Sequence, residues 1–337
     1  MEISQLKNLK TIILVTDTYS DINGVSTTVK NYEKHIPNIG YDLIVLHPSD
    51  LPYFKCPFSK DVKLAYNLQF EKKYFEKPFA IHIITEGTLG LQARNFCIRN
   101  SFKFTTSYLT MFPEYLKQHI KLPIWLTRSY FNWFHSKAEK VFCCTKDLAN
   151  KLNWIKAKKY VCPKGVDTSL FTMKIKNSSS KKTALYVGRV SKEKNIEAFC
   201  DLHLPSQKIV VGDGPQLEEL KNKYPNVKFV GKIEHENLVN YYQDADVFVF
   251  PSKTDTYGLV MLEALSCGTP VASYPINGGL DLADNNTVFV DEDLNIAVMN
   301  AFDHSDRSLV SYKNKMYGKS WEESVESLCS ELIFNHF

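Results

Sequence analysis

The chain has 337 residues, 44% of them apolar and 23% charged, with a formal net charge of +4. That length favours two domains, each large enough to bury its own core, and the ordinary composition excludes disordered, collagenous and disulfide-scaffold proteins. No stretch approaches the roughly 18 apolar residues of a membrane span, and MEISQLKNLKTIIL lacks the long apolar run of a signal peptide. The eight cysteines form no CxxC pair and no metal-ligand spacing with histidine, so buried thiols in a reducing cytoplasm are expected. Charge is uneven. Residues 1–170 carry 24 Lys+Arg against 14 Asp+Glu, a balance of +10, whereas residues 171–337 stand at −6. A basic first half predicts an anionic partner; solvated surface lysine is the plainer explanation.

Residues 11–16 (TIILVT) read as a buried strand, followed by a loop and a helix bearing Val29, Tyr32 and Ile36. Asn23-Gly24 predicts a tight turn, with Ser26 or Thr27 as the helix cap. YDLIVLH (41–47) is the second strand. This opening is Rossmann-like but lacks GxGxxG, which disfavours a dinucleotide and an NAD-dependent oxidoreductase; the single Gly24 suits close approach of one bulky ligand. Residues 51–78 are aromatic and lysine-rich, with strand-like alternation at 62–66. AIHIIT (80–85) is a strand before a helix through Leu91, Ala93 and Phe96. After FTTS (104–107) and the loop YLTMFPEYL comes IKLPIWLTRSYFNWFHSKAEK, a helix with aromatic side chains among basic ones. It predicts either core packing, the commoner use of such residues, or a membrane-surface element. Short strands follow at 141–144 and 160–162, with a helix at 146–152 between them.

Residues 174–182 are polar and serine-rich and predict a linker between an N-terminal domain (1–173) and a C-terminal one (183–318). Strands at 183–187, 208–211, 227–230, 246–250, 271–274 and 288–290 alternate with helices, which predicts a parallel sheet covered on both faces. The amphipathic segment 319–337 is expected to pack back on the first domain.

The richest stretch is residues 246–275, which reads strand, polar loop, helix, strand. Asp255 lies in the loop and Glu263 one turn inside the helix, so both carboxylates are expected at the carboxyl end of the strand, where open α/β sheets bind ligands. The amides of Gly258, Leu259 and Val260 at the helix start can receive an anion. Arg189 and Lys194 follow a strand end and form a plausible diphosphate clamp, while Lys192 reads as surface charge. Gly231 and Ile233 end another strand beside the same crevice, where their backbone can meet a base edge. The histidines point to no catalytic set: His82 is expected to be structural, and His135 is as readily packed as ligating. Neither a nucleophile elbow nor a P-loop nor HExxH occurs.

Taken in order, DTYSDINGVSTT (17–28), EGTLGLQAR (86–94), TTSYLTMFPEYL (105–116), FHSKAEKVFCCT (134–145), KGVDTSLF (164–171), YVGRVSKEKN (186–195), VVGDGP (210–215) and SKTDTYGLVMLEALSCGTPV (252–271) resemble glycosyltransferase family 4 over nearly the whole chain. The resemblance is strongest to bacterial α-mannosyltransferases and glycosyl- or sulfoquinovosyl-diacylglycerol synthases. It implies an α/β protein of GT-B architecture, with two Rossmann-like domains, a cleft between them and the C-terminal helix returning to the first. It implies retaining transfer of a mannose- or glucose-type hexose from a nucleoside diphosphate sugar to a lipid headgroup or glycan hydroxyl, with no cofactor and no required metal. Glu263 would then take the ribose hydroxyls, Asp255 the sugar hydroxyls, and Gly258, Leu259 and Val260 the phosphate and sugar. Arg189 and Lys194 would neutralise the diphosphate, and Gly24 would admit the first domain's loop to the same phosphates. Peripheral contact with an anionic membrane from the cytoplasmic side is expected, and nucleic acid is not. Leu109 stands where relatives commonly carry histidine, Lys164 where they carry arginine, and Thr88 where they carry proline. Leu109 also raises the competing expectation of a catalytically weakened sugar-nucleotide binder that serves as a scaffold.

Overall fold

A computed structural model describes residues 10–19, 23–55, 63–174, 182–284, 286–304, 306–310 and 319–336. The chain divides into two compact units, the first Met1–Lys164 with Trp321–Phe337 and the second Gly165–Ser320. The division falls at Lys164/Gly165 rather than at 174–182, and residues 175–181 of that expected linker lie outside the described residues.

Unit 1 runs β1 (Thr11–Val15), α1 (Gly24–His35), β2 (Asp42–Leu46), β3 (Tyr53–Lys55), β4 (Lys63–Ala65), β5 (Phe79–Ile83), α2 (Thr88–Arg99), β6 (Phe104–Ser107), α3 (Phe112–Ile120), α4 (Ile124–His135), β7 (Val141–Cys143), α5 (Lys146–Lys151) and β8 (Lys159–Val161). Its main sheet has the order β2-β1-β5-β6-β7-β8 and every pairing is parallel. All five positions of β1 and of β5 are buried, as a strand covered on both faces requires. β3 and β4 form a separate antiparallel pair.

Two local expectations give way. Asn23, not Ser26 or Thr27, caps α1: its side-chain oxygen accepts from the Val25 and Ser26 amides, while Thr27 and Thr28 donate back to carbonyls one turn earlier. The segment expected as one loop and one aromatic helix is two helices. Pro113 opens α3 where its missing N–H is harmless, Lys121 ends it in the left-handed region at φ 55°, and Pro123 caps α4. Phe131 and Phe134 of α4 enter the core, whereas Trp125, Tyr130 and Trp133 are exposed.

The helix Trp321–Ser330 completes this unit. Trp321 meets the Tyr32 ring edge-on at 6.4 Å, the Ser324 hydroxyl donates to the Pro163 carbonyl, and the Asn335 and Phe79 backbones exchange hydrogen bonds. His82 and His135 are buried and hydrogen-bonded. His82 lies between the Thr105 and Ser107 hydroxyls at 2.8 and 2.9 Å, and His135 between Thr106 (2.8 Å) and the Glu86 carboxylate (3.3 Å). Burial holds His82 down to about 3. The described cysteines are all free and buried.

Unit 2 runs β9 (Gly165–Val166), β10 (Lys182–Val187), α6 (Ile196–Cys200), β11 (Ser206–Val211), α7 (Leu217–Lys223), β12 (Lys228–Gly231), α8 (Leu238–Asp244), β13 (Val247–Phe250), α9 (Leu259–Ser266), β14 (Val271–Ser273), α10 (Asn277–Leu282), β15 (Val288–Val290), α11 (Leu294–His304) and β16 (Lys319–Ser320). The sheet order is β12-β11-β10-β13-β14-β15, again wholly parallel. These are the six strands expected from the sequence. Tyr186, Phe199, Val210, Val247, Val249, Ala272 and Phe289 centre its core.

Candidate functional site

In unit 2 the chain runs outward from β10 to β11 and β12, then returns to place β13 on the other side of β10. The loops after β10 and β13 therefore diverge at the carboxyl edge, the position where doubly wound sheets open a ligand crevice.

Glycines knit the strand ends beside this point. The Gly188 amide donates to the Val211 carbonyl, the Gly212 amide to the Gly231 carbonyl and the Val190 amide to the Asp213 carbonyl. Gly212 has φ 140°, and a Cβ there would stand 1.8 Å from the Gly188 carbonyl oxygen, so no other residue fits. On this shelf Arg189 projects an exposed side chain while its carbonyl accepts from the buried Tyr186 hydroxyl at 2.9 Å. The turn Lys192–Lys194 ends at Asn195, left-handed at φ 55°, whose amide side chain reaches the Pro251 carbonyl at 3.0 Å. The Ser252 and Thr254 hydroxyls donate to the Glu193 carbonyl from the other loop.

Across that seam the Lys194 ammonium meets Asp255 Oδ1 at 2.6 Å, both side chains about a quarter exposed (28% and 24%). This is a charge-assisted bond that a solvent-borne ligand can reach. Gly258 caps α9 at φ 86°, where a Cβ would lie 2.8 Å from the Phe250 ring. Glycine has no side chain to cap the helix and the first turn holds no acidic residue, so the amides of Gly258, Leu259 and Val260 stand at the positive end of the α9 dipole. Glu263, 8% exposed, lies one turn further in. Its Oε2 accepts from the Tyr242 hydroxyl at 2.7 Å and its Oε1 lies 3.1 Å from His235 Nε2. Burial first, and Glu263 second, push Tyr242 well above its usual range, so it stays a neutral donor.

The structure thus sets Arg189, Lys194, Asp255 and Gly258 on two neighbouring loops of one unit, and Leu259, Val260 and Glu263 on the helix α9 that follows the second loop. Gly231 (φ 86°) and Ile233 follow β12 on the same sheet. Gly24 belongs to unit 1, as the first residue of α1, and a Cβ there would meet nothing within 4 Å. His235 and Tyr242 went unseen in the sequence because their partner Glu263 lies 28 and 21 residues away. Only the folded packing of α8 and of the turn before it against α9 joins them.

The folds and this carboxyl-edge site define an α/β protein of the GT-B class. Residues 170–302 match the family described as Glycosyl transferases group 1. The sucrose-phosphate synthase of Thermosynechococcus elongatus superposes with a TM-score of 0.71 at 18% identity, over 95% of this chain and 98% of that one. The alpha-monoglucosyldiacylglycerol synthase of Streptococcus pneumoniae is 27% identical over 315 residues, spanning 77% of this chain and 70% of its own. The sulfoquinovosyl transferase SQD2 of Arabidopsis thaliana is 27% identical over 308 residues, spanning 78% of this chain and 59% of its own. Residues 170–302 therefore carry a Glycosyl transferases group 1 domain, and over most of its length the chain is similar to glycosyltransferases, in keeping with its resemblance to family 4.

Proposed function

We propose that this protein transfers a glucose- or mannose-type hexose, with retention, from a nucleoside diphosphate sugar to a hydroxyl of a lipid headgroup or glycan. The observation that carries the reading is the Lys194–Asp255 pair at the switch point beside the open start of α9. A cation and helix-start amides suit phosphate, and a carboxylate suits sugar hydroxyls. Arg189 and Lys194 neutralise the diphosphate as charge develops on it, a stabilisation worth most where it grows in the transition state. Asp255 holds sugar hydroxyls, the α9 amides take phosphate and sugar, and Glu263 accepts the ribose hydroxyls. Gly231 and Ile233 offer backbone to the base. In the step itself the C1–O bond to the diphosphate breaks while a bond from C1 to the acceptor oxygen forms on the same face. The acceptor's proton passes to the departing phosphate. The charge work is assigned to these side chains rather than to a metal, so turnover in excess EDTA is the expected result.

The acceptor reading rests on unit 1. It carries 24 Lys+Arg against 17 Asp+Glu, and the exposed aromatics among the described residues (Tyr53, Phe54, Tyr66, Trp125, Tyr130 and Trp133) all belong to it. On α4, Trp125 is 68% exposed and is joined by Leu126 and Trp133. Amphipathic rings beside a positive surface suit a peripheral anionic membrane. No helix among the described residues is long and apolar enough to cross one.

A panel of UDP- and GDP-sugars, offered with diacylglycerol-based and glycan acceptors, tests the reading through product formation and anomeric configuration. An inverted product would overturn retention, and nucleotide binding without turnover on any acceptor would favour the scaffold. Co-sedimentation with anionic and neutral vesicles, using the wild type and W125S/W133S, tests the membrane. Equal binding of both proteins to both vesicles removes it.

A further inference from the structure

Glu263 is held by two unlike partners. Tyr242 is fully buried and fixed edge-on between the Phe171 and Phe248 rings, at 5.8 and 5.6 Å. It is a fixed strut on Oε2. His235 covers Oε1 from a short turn after β12, rests against the edge of Phe171 at 5.2 Å, and leaves 51% of its side chain in solvent. One carboxylate oxygen is therefore locked by the core while the other carries a partner that can swing away.

Resting on the reading that Glu263 receives the ribose hydroxyls, we propose that His235 is a positioning residue that competes with the donor for Glu263 Oε1, closing on it as imidazolium and yielding it as neutral imidazole. The charged groups that face His235 are acidic: Glu263 from α9, Glu236 on its own turn and Asp167 after β9. The other faces are the Tyr242 hydroxyl and the Phe171 ring. The hydrogen bond to Glu263 outweighs partial burial and raises the imidazole's pKa. The sign follows. Below that raised pKa the pair is a charged hydrogen bond that the ribose must displace. Above it the pair loses its charge and Oε1 becomes available to two hydroxyl donors. Donor affinity then rises with pH across the histidine's titration, and the effect appears in KM rather than kcat.

Calorimetric titration of the full chain with UDP and with GDP, between about pH 5.5 and about pH 8.5, tests this across the range in which histidine titrates. The nucleotide's own phosphate titration is common to all variants, so the quantity to read is the affinity ratio of His235→Gln to wild type. That ratio is expected to exceed one several-fold at the acid end and to fall toward one at the alkaline end, with kcat unchanged. His235 is half exposed, so the variant folds, and its melting temperature verifies this. A ratio that stays flat with pH overturns the inference. Glu263→Ala and the isosteric Glu263→Gln separate it from the reading beneath it. If both bind nucleotide like the wild type, the ribose assignment fails. If they lose binding while the His235→Gln ratio is flat, the competition alone fails.

Discussion

Both units are built on wholly parallel six-stranded sheets whose strand order reverses once, after two strands in unit 1 and after three in unit 2, and they use that switch point differently. In unit 1 the point lies between β1 and β5, and the carboxylate there is Asp17. It accepts from the Leu89 amide at 2.7 Å, the Gly90 amide at 3.3 Å and the Thr85 hydroxyl at 2.7 Å, so the start of α2 is already filled by the protein's own acid. Gly87 leaves room for it, since a Cβ would come within 2.5 Å of the Asp17 carboxyl carbon. Burial outweighs these donors and raises Asp17's pKa. In unit 2 the carboxylate at the switch point, Asp255, comes instead from the loop after β13 and is turned to Lys194, and α9 starts at Gly258 with no acidic residue in its first turn. A helix start filled by a distant carboxylate stabilises its unit; a glycine-capped start with no acid in its first turn offers a dipole end suited to a ligand's phosphate.

Four outcomes would break or sharpen that contrast. Arg189→Ala and Lys194→Ala are expected to lower kcat/KM by about 100–1,000-fold, the scale of one lost transition-state donor. Steady-state kinetics checks this, and a loss under tenfold in both would mean unit 2's edge does not hold the diphosphate. Next comes acid lability in unit 1. His82 is neutral down to about 3. The stability it contributes is present above its unfolded pKa of about 6.5 and is lost as pH falls toward the folded value, at up to about 1.4 kcal/mol per pH unit. Chemical denaturation from pH 7 to pH 4 should show this slope, shallower in His82→Asn. Third, Asp17→Ala removes the cap and strands buried donors, costing about 2 kcal/mol by thermal melting, with nucleotide affinity unchanged. Smallest is a pair of glycines. Gly24→Ala, at an open helical position, should be neutral or stabilising by less than about 1 kcal/mol, whereas Gly258→Ala should destabilise by about 1 kcal/mol or more because it needs φ 86° and meets the Phe250 ring.

Much of this was legible in the sequence. Apolar runs such as VFVF and TIILV, stopped by Pro, Gly or Ser, announce buried parallel strands, so both sheets could be read along the chain. The candidate residues of unit 2 could be assigned to the carboxyl edge from local sequence because they lie in the loops, and the helix start, that follow β10, β12 and β13. Features made by distant partners were hidden. Nothing near His235 or Tyr242 singles out Glu263 as their shared partner, and nothing near Asp17 announces that Thr85 and the α2 amides will surround it. The break in the aromatic segment was written in Pro113 and Pro123, but the aromatic pattern masked it. A helix that buries Phe131 and Phe134 while exposing Trp125 and Trp133 has the same composition as one that buries all four.

The return of the chain to unit 1 sets an order on its birth at the ribosome. Unit 2 is contiguous and is fully synthesised once Ser320 has been added. Unit 1, whose sheet precedes unit 2 in the chain, at that point still lacks the Trp321 ring that meets Tyr32 and the Asn335 backbone that pairs with Phe79. A nascent chain therefore carries its basic, aromatic unit incomplete while the group 1 domain is being made, and that unit closes only after the domain inserted within it has emerged.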